Sequence, residues 1–307
     1  MLRQTISIIY ALLTLAACSS WSTESKLREG GPTPYIRCLA APAPSPRQGQ
    51  LGSIGFSLQD RSLTLRPKRW PLRIAAFSGA GFGAAPHAAD VSRLRHRADV
   101  LLMLGGVGES EAVAETSIRT LASLGTPALV LFGGRDRFSA RDLLDKAGKG
   151  IIDITPIRRI LIAGNTLVPV AGADQGRYSA SAEACGFASK DLEAIAAELG
   201  TAGSAERRWL ISWQAAAGTG PVPGAAAYDH GLDLGSPRLG RFVQQIGAVG
   251  GLCAWPAGPY QELPPGPLAA RVVPRLFGPR LSRSDGTRVE PGFMMIELDD
   301  QGLRVLE

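Results

Sequence analysis

The chain has 307 residues, 45% of them hydrophobic and 20% charged, enough apolar content for one large α/β domain and too much for a disordered polymer. Its net charge is +6, from 33 Lys+Arg against 27 Asp+Glu. The basic residues are scattered and mostly Arg, without the clustered cations and interleaved aromatics of a nucleic-acid footprint, so nucleic acid is excluded as a partner.

Arg3 gives the N-terminus a short positive region, and Ile6–Leu15 is an apolar stretch too short to span a bilayer comfortably. Leu15-Ala16-Ala17-Cys18 resembles the lipobox of a bacterial lipoprotein. That resemblance implies a signal peptide over 1–17, cleavage before Cys18, and acylation of Cys18 as a membrane anchor stable enough to need no further span. Ser19 is not the Asp associated with inner-membrane retention, so the expected address is the outer membrane of a Gram-negative cell envelope. With Cys18 acylated, Cys38, Cys185 and Cys253 permit at most one disulfide, and no spacing supports zinc. Cys253, at the end of a strand-like stretch, reads as a small buried apolar residue.

Residues 18–50 are rich in Pro, Ser and Gly, with Ala41-Pro42-Ala43-Pro44-Ser45-Pro46 as the clearest linker, and are expected to be a flexible tether. The folded domain is then expected over 51–307. Ile54–Leu58 and Ser62–Leu65 alternate like a hairpin around Gln59-Asp60-Arg61. After Pro71 strands and helices take turns: strand Leu72–Phe77, a helix around Asp90–Arg97, strand Val100–Leu104, a helix around Glu111–Leu124, Gly125 at C′, and strand Ala128–Phe132. This rhythm favours parallel strands with crossover helices.

In the second half, Arg159–Ala163 and Thr166–Val170 flank Gly164-Asn165 like a hairpin, and Ser189 is placed to cap a helix running to Gly200. Strand Trp209–Ser212, a helix near Pro237–Ile246, strand Ala248–Cys253, and a closing pair Gly292–Leu298 and Leu303–Leu306 follow. Antiparallel pairs amid βα units predict an α/β fold with a two-sheet mixed β sandwich flanked by helices.

Four of the apolar runs end at turns where an enzyme would place its chemistry: Ser78-Gly79-Ala80-Gly81, Gly105-Gly106, Gly133-Gly134-Arg135-Asp136 and Trp213-Gln214. The order of elements from Leu72 to Glu307 resembles the calcineurin-like metallophosphoesterases, which implies a four-layer α/β/β/α sandwich, hydrolysis of phosphate esters and two divalent metals. The family's ligand turns read D-x-H, G-D, G-N-H-D, a lone His and G-H-x-H. Their places read here as Ser78-Gly79-Ala80, Gly105-Gly106, Gly133-Gly134-Arg135-Asp136, Trp213, and Ala254-Trp255-Pro256-Ala257. The former ligand positions are therefore Ser78, Ala80, Gly106, Gly134, Arg135, Trp213, Trp255 and Ala257. A two-metal centre needs carboxylates and imidazoles to bind and neutralise its cations, and these residues offer at most one hydroxyl. The expectation is a degenerate member with no metal and no family catalysis, acting as an envelope binding or scaffolding module.

Other chemistry is weighed against that. The only histidines are His87, His96 and His230. A divergent hydrolase would use Ser78 as nucleophile, His87 or His230 as base, and Asp136 or Asp229 as orienter. Ala76 breaks the G-x-S-x-G elbow that such a serine usually occupies. Gly79-Ala80-Gly81-Phe82-Gly83-Ala84 fits a dinucleotide fingerprint, but Gly105-Gly106 replaces the expected acidic residue. Arg135 either captures an anion with nearby backbone N–H groups or pairs with Asp136 or Asp142. Trp213 and Trp255 either fill the vacated cavity or form a stacking platform. No protein partner is named by the sequence.

Overall fold

In the computed structural model, residues 36–79, 94, 97–148, 150–174, 183–201, 203, 206–216, 227–228, 232–233, 235–255, 269–272, 281–282, 288–289 and 292–306 are described. The signal peptide, Cys18, most of the helix expected around Asp90–Arg97, and the three histidines lie outside them. No helix among the described residues is long and apolar enough to cross a membrane.

Uniformly apolar runs form the centre of one sheet. Val100–Leu104 and Ala128–Leu131 are buried at every position, as strands covered on both faces must be. They pair in parallel with Leu72–Phe77 on one side and Ile151–Asp153 on the other. The closing hairpin, Met294–Asp299 and Gly302–Leu306, adds antiparallel to Leu72–Phe77 and completes six strands.

The second sheet has eight strands in the order Ala269–Val272, Ala248–Trp255, Arg207–Gln214, Asn165–Val170, Arg159–Ile162, Ser62–Pro67, Ile54–Gln59 and Arg47–Leu51. It is parallel at the end that includes Arg207–Gln214 and antiparallel where the hairpins sit. Apolar side chains from both sheets join one continuous core. Helices Glu111–Ser123 and Arg141–Lys146 lie beside the six-stranded sheet, and Ser189–Leu199 and Pro237–Gln245 beside the eight-stranded one. The result is the expected mixed two-sheet sandwich flanked by helices.

Local signals are obeyed with small shifts. Ser110 caps Glu111–Ser123 by accepting from Val113 N, and Gly125 follows with φ +69°, the left-handed turn that glycine adopts without cost. The hairpin expected around Gly164-Asn165 turns one residue earlier, at Ala163 and Gly164, both with positive φ, because a two-residue hairpin loop of matching twist needs that conformation. Ser189 is not a cap. Ala188 holds that position, and Asp191 reaches back to accept from the Ala188 N–H.

One residue ties the flanking helices to the eight-stranded sheet in a way no sequence pattern announces. Arg208, 1% exposed, donates to the carbonyls of Leu199 (3.0 Å) and Gly200 (2.8 Å) at the end of one helix, and of Ile246 (3.2 Å) at the end of the other. A cation is favoured at both carbonyl-rich ends. Glu206 accepts from it at 2.9 Å, and this hydrogen bond holds the Glu206 carboxyl below its ordinary pKa.

The largest correction concerns the N-terminus. Residues 36–50 are not a flexible tether. Ile36–Arg37 pairs in parallel with Cys185–Phe187, a 3₁₀ turn follows over Cys38–Ala40, and Arg47–Leu51 is the edge strand of the eight-stranded sheet. A disulfide joins Cys38 to Cys185 across a sequence separation of 147 residues. Arg158 donates to Leu39 O, Arg61 to Ala41 O at 2.6 Å, and Arg37 pairs with Asp191. The Pro-rich composition was misleading because long-range partners order the segment. Cys253 is free and buried, which pushes its thiol up to about 12, in keeping with an inert apolar role.

Replacing Cys38 and Cys185 together by Ser is expected to cost about 2–5 kcal/mol, because the cross-link closes a long loop of the unfolded chain. Urea unfolding with and without reductant checks this: reductant should lower the stability of the wild type and leave that of the double variant unchanged.

Candidate functional site

The strands Leu72–Phe77, Val100–Leu104 and Ala128–Leu131 run in parallel, so their C-terminal ends deliver Ser78-Gly79, Gly105-Gly106 and Gly133-Gly134 to one edge of the sandwich. The end of Arg207–Gln214 meets them from the other sheet. Hydrogen bonds lace the turns together: Gly79 N donates to Gly105 O (3.0 Å), Gly105 N to Leu131 O (2.7 Å), and Gly172 N to Phe132 O (2.8 Å). The sequence therefore places its glycine turns correctly as a group.

These turns are closed as well as empty. Trp213 is 5% exposed, and its indole lies across two of them, against Gly105 in one and Gly133 and Gly134 in the other. A Cβ on Gly105 would stand 2.1 Å from Trp213 Cδ1, one on Gly133 2.4 Å from the same atom, and one on Gly134 2.8 Å from Cζ3. On Gly134 it would also meet the Ala173 Cβ at 2.3 Å. A Cβ on Gly106 would fall 2.4 Å from Gly79 Cα. Gly106 also has φ +77°, a conformation L side chains rarely adopt. The backbone occupies the space that a side chain at 106 would need, so a carboxylate there requires the turn to open.

Asp136 performs a structural task in these turns. It is 1% exposed. One carboxylate oxygen accepts from Gly106 N (3.0 Å) and Gly133 N (2.7 Å), the other from Gly108 N (2.9 Å). Asp136 thus pins two glycine turns to each other. Burial pushes its carboxyl up to about 7, against the lowering pull of the N–H groups of Gly133, Gly108, Gly106 and Val107. With both oxygens committed to backbone amides, it has no geometry for orienting a histidine.

Arg135 does not pair with Asp136 or Asp142. It points outward and pairs with Glu109 at 3.0 Å, both side chains about half exposed. The reason is Asp136 itself, whose carboxylate turns inward to the amides and leaves its neighbour to solvent. An exposed pair of this kind contributes little to stability. Ser78 is buried at the end of its strand. The structure thus brings together Ser78, Gly106, Gly134, Asp136 and Trp213, and turns Arg135 away. Ala80, Ala257, His87, Asp229 and His230 lie outside the described residues. The backbone of Trp255 pairs with Gln214, one strand from Trp213, while its side chain lies outside the described set.

A second polar group beside this edge is invisible in the sequence pattern. Asp174 is buried, accepts from the Ser236 hydroxyl (2.7 Å) and pairs with Arg238, and its N–H donates to Gln214 Oε1 (2.7 Å). Ser236 also caps the helix Pro237–Gln245, accepting from Leu239 N. Ser-Pro at a helix start was the available signal for Ser236; nothing local marks Asp174.

Among the described residues no three His, Cys, Asp or Glu side chains gather to hold a metal ion. Of the positions that the resemblance aligns with metal ligands, Gly106 and Gly134 present no side-chain donor, Trp213 fills the space between turns, and alanine at 80 and 257 has no ligating side-chain atom in any conformation. Among the described residues, these positions do not supply the ligand set of a two-metal centre.

Two measurements probe this closure. Gly133→Ala is expected to destabilise by about 1–3 kcal/mol through overpacking, and Trp213→Ala by about 3–5 kcal/mol through the cavity it leaves. In the double variant the alanine methyl enters that cavity, so the costs should fall short of additivity by about 1 kcal/mol or more. Independent costs would show that the indole does not press on this turn. For Asp136, the folded state keeps a proton up to about pH 7 that the unfolded chain, with the ordinary value 3.8, has already released. This contribution is full below about pH 4 and is lost as pH rises to about 7. Asp136→Asn is expected to cost about 2–3 kcal/mol, because one amide N–H faces the Asn NH₂ instead of an oxygen. Urea titrations should show that cost shrinking from about pH 4 to about pH 7.

No protein-family model matches the chain, and no curated protein does. Solved structures do. One crystal structure is 10% identical, covers 77% of this chain and 99% of its own, and superposes with a TM-score of 0.50. TT1561 of Thermus thermophilus is 14% identical over 76% of this chain and 98% of that one, with a TM-score of 0.43. The phosphopantetheinyl hydrolase of Mycobacterium tuberculosis is 12% identical over 66% and 88%, with a TM-score of 0.41. At these identities the likeness concerns the fold alone. That fold is two mixed sheets flanked by helices.

Proposed function

We propose that this chain is a membrane-anchored envelope lipoprotein that keeps a metallophosphoesterase-type scaffold without its reaction, and serves as a binding or scaffolding module. The observation that carries the reading is Trp213, whose indole takes the space between Gly105, Gly133 and Gly134 where the family's ligand loops would surround their metals. Supporting it, Asp136 spends its carboxylate on backbone amides. A scaffold whose ligand loops are held by metal loses that restraint when the ligands go, and here an aromatic ring and a buried carboxyl hold the turns instead. The lipobox Leu15-Ala16-Ala17-Cys18 supports export and anchoring through Cys18. The Cys38–Cys185 disulfide supports an oxidising compartment outside the cytoplasm.

The competing hydrolase around Ser78, Arg135 and Asp136 is less well supported, since Arg135 turns to Glu109 and Asp136 is fully hydrogen-bonded. Purified protein, incubated with Mn²⁺, Zn²⁺ or Fe²⁺ and freed of excess, is expected to retain far less than one metal per chain. It should also turn over neither phosphomonoesters nor phosphodiesters. Two tightly held metals per chain, the family's complement, overturn the reading. Ester turnover abolished by Ser78→Ala would establish the competing one.

A further inference from the structure

Trp70 is 47% exposed, more than any other large apolar side chain among the described residues. It ends the run Arg66-Pro67-Lys68-Arg69-Trp70, in which Arg66, Lys68 and Arg69 are also exposed. Between Asp60 and Asp90 the sequence has no acidic residue, while Arg61, Arg66, Lys68, Arg69 and Arg73 are basic. Two of those cations are occupied: Arg61 by the carbonyls of Pro156 and Ala41, and Arg73 by Glu297. Among the described residues, Arg66, Lys68 and Arg69 have no carboxylate partner; Arg66 reaches only the Ser57 hydroxyl, at 3.5 Å. Other exposed arginines are paired, as Arg119 and Arg304 are, or stand singly without a carboxylate among the described residues, as Arg47, Arg159 and Arg241 do; three unpaired cations beside an exposed indole set this run apart.

An indole left half in water beside unpaired cations matches the chemistry of an anionic membrane–water interface. The amphipathic ring settles at headgroup level, and nearby Lys and Arg side chains are drawn to an anionic surface. The geometry points to a second membrane contact: resting on the lipoprotein reading above, the segment Arg66–Trp70, the end of a strand and the turn after it, docks on the anionic lipid surface to which the chain is anchored. An acidic protein would have to supply a hydrophobic slot for Trp70 as well as charge, whereas a bilayer next to an anchored protein offers both by position. Arg61 clamps the N-terminal segment at Ala41, at the other end of the strand Ser62–Pro67 and about 20 Å from the turn. The chain from Cys18 to Ile36 has a covalent reach of up to about 60 Å, so anchor and turn can meet one bilayer. Trp70 lies before Leu72–Phe77, at the opposite end of that strand from Ser78-Gly79. Docking therefore turns the edge that carries Trp213 and the closed glycine turns away from the membrane, toward soluble partners.

The full chain is reconstituted into vesicles of phosphatidylcholine, with or without phosphatidylglycerol, some carrying brominated acyl chains that quench tryptophan at short range. In anionic vesicles the bromine-dependent quenching is expected to fall markedly in Trp70→Phe, and also in the double variant Lys68→Glu/Arg69→Glu, while both still float with the vesicles. Neutral vesicles should give the wild type the weaker quenching of the charge-reversed variant. Flotation with quenching identical in wild type and Trp70→Phe overturns the docking proposal and leaves the anchor standing. Failure of the wild type to float overturns both. Thermal unfolding of each variant, expected to be unchanged because the turn is exposed, separates lost docking from lost folding.

Discussion

The indole of Trp213 is pressed against the glycine turns at the joint between the two sheets, and the rest of that edge is arranged around it. Its ring belongs to the eight-stranded sheet, while Gly105, Gly133 and Gly134 belong to strand ends of the six-stranded one, so the contact is a weld between halves of the sandwich. Interiors pack to crystal-like density, and a cavity at such a joint would be costly. Those turns are glycine because a ring occupies the place of their side chains.

Asp136 complements this weld from beneath. Trp213 fills the space between turns, and Asp136 fixes the turns themselves by gathering the amides of Gly106, Gly108 and Gly133. A buried carboxyl is usually a mark of chemistry, since desolvation moves its pKa toward neutrality. Here the same desolvation accompanies a complete set of backbone donors, and the group acts as a structural staple. A perturbed pKa identifies an unusual environment; the geometry around its oxygens decides whether that environment is a reaction site.

Beside the same edge, where Ile36–Arg37 pairs with Cys185–Gly186 next to Gly172 and Ala173, order comes from partners distant in sequence. The segment 36–41 is held by Cys185, Arg158, Arg61 and Asp191, so the chain enters the domain at a definite place. Arg208 does comparable work beside the eight-stranded sheet, where one guanidinium gathers the carbonyl ends of two helices. Both are long-range polar devices laid over a core that the apolar strands had already specified.

What the sequence determined by itself is the set of elements with strong local signals. Buried parallel strands announce themselves as unbroken apolar runs, one helix end by Gly125, and the closing hairpin by alternation around a polar turn. The two-sheet sandwich followed from their order, and the grouping of glycine turns at one edge followed from parallel strands. The lack of ligand-type residues at those turns was equally legible, because it is a matter of residue identity. Only the tertiary structure decided that Trp213 closes the turns, that Asp136 faces the amides while Arg135 faces Glu109, that Cys38 joins Cys185, and that the Pro-rich segment from 36 to 50 belongs to the fold. Each of these depends on which residues far apart in the chain come within a few ångströms, and a local pattern carries no information about that distance.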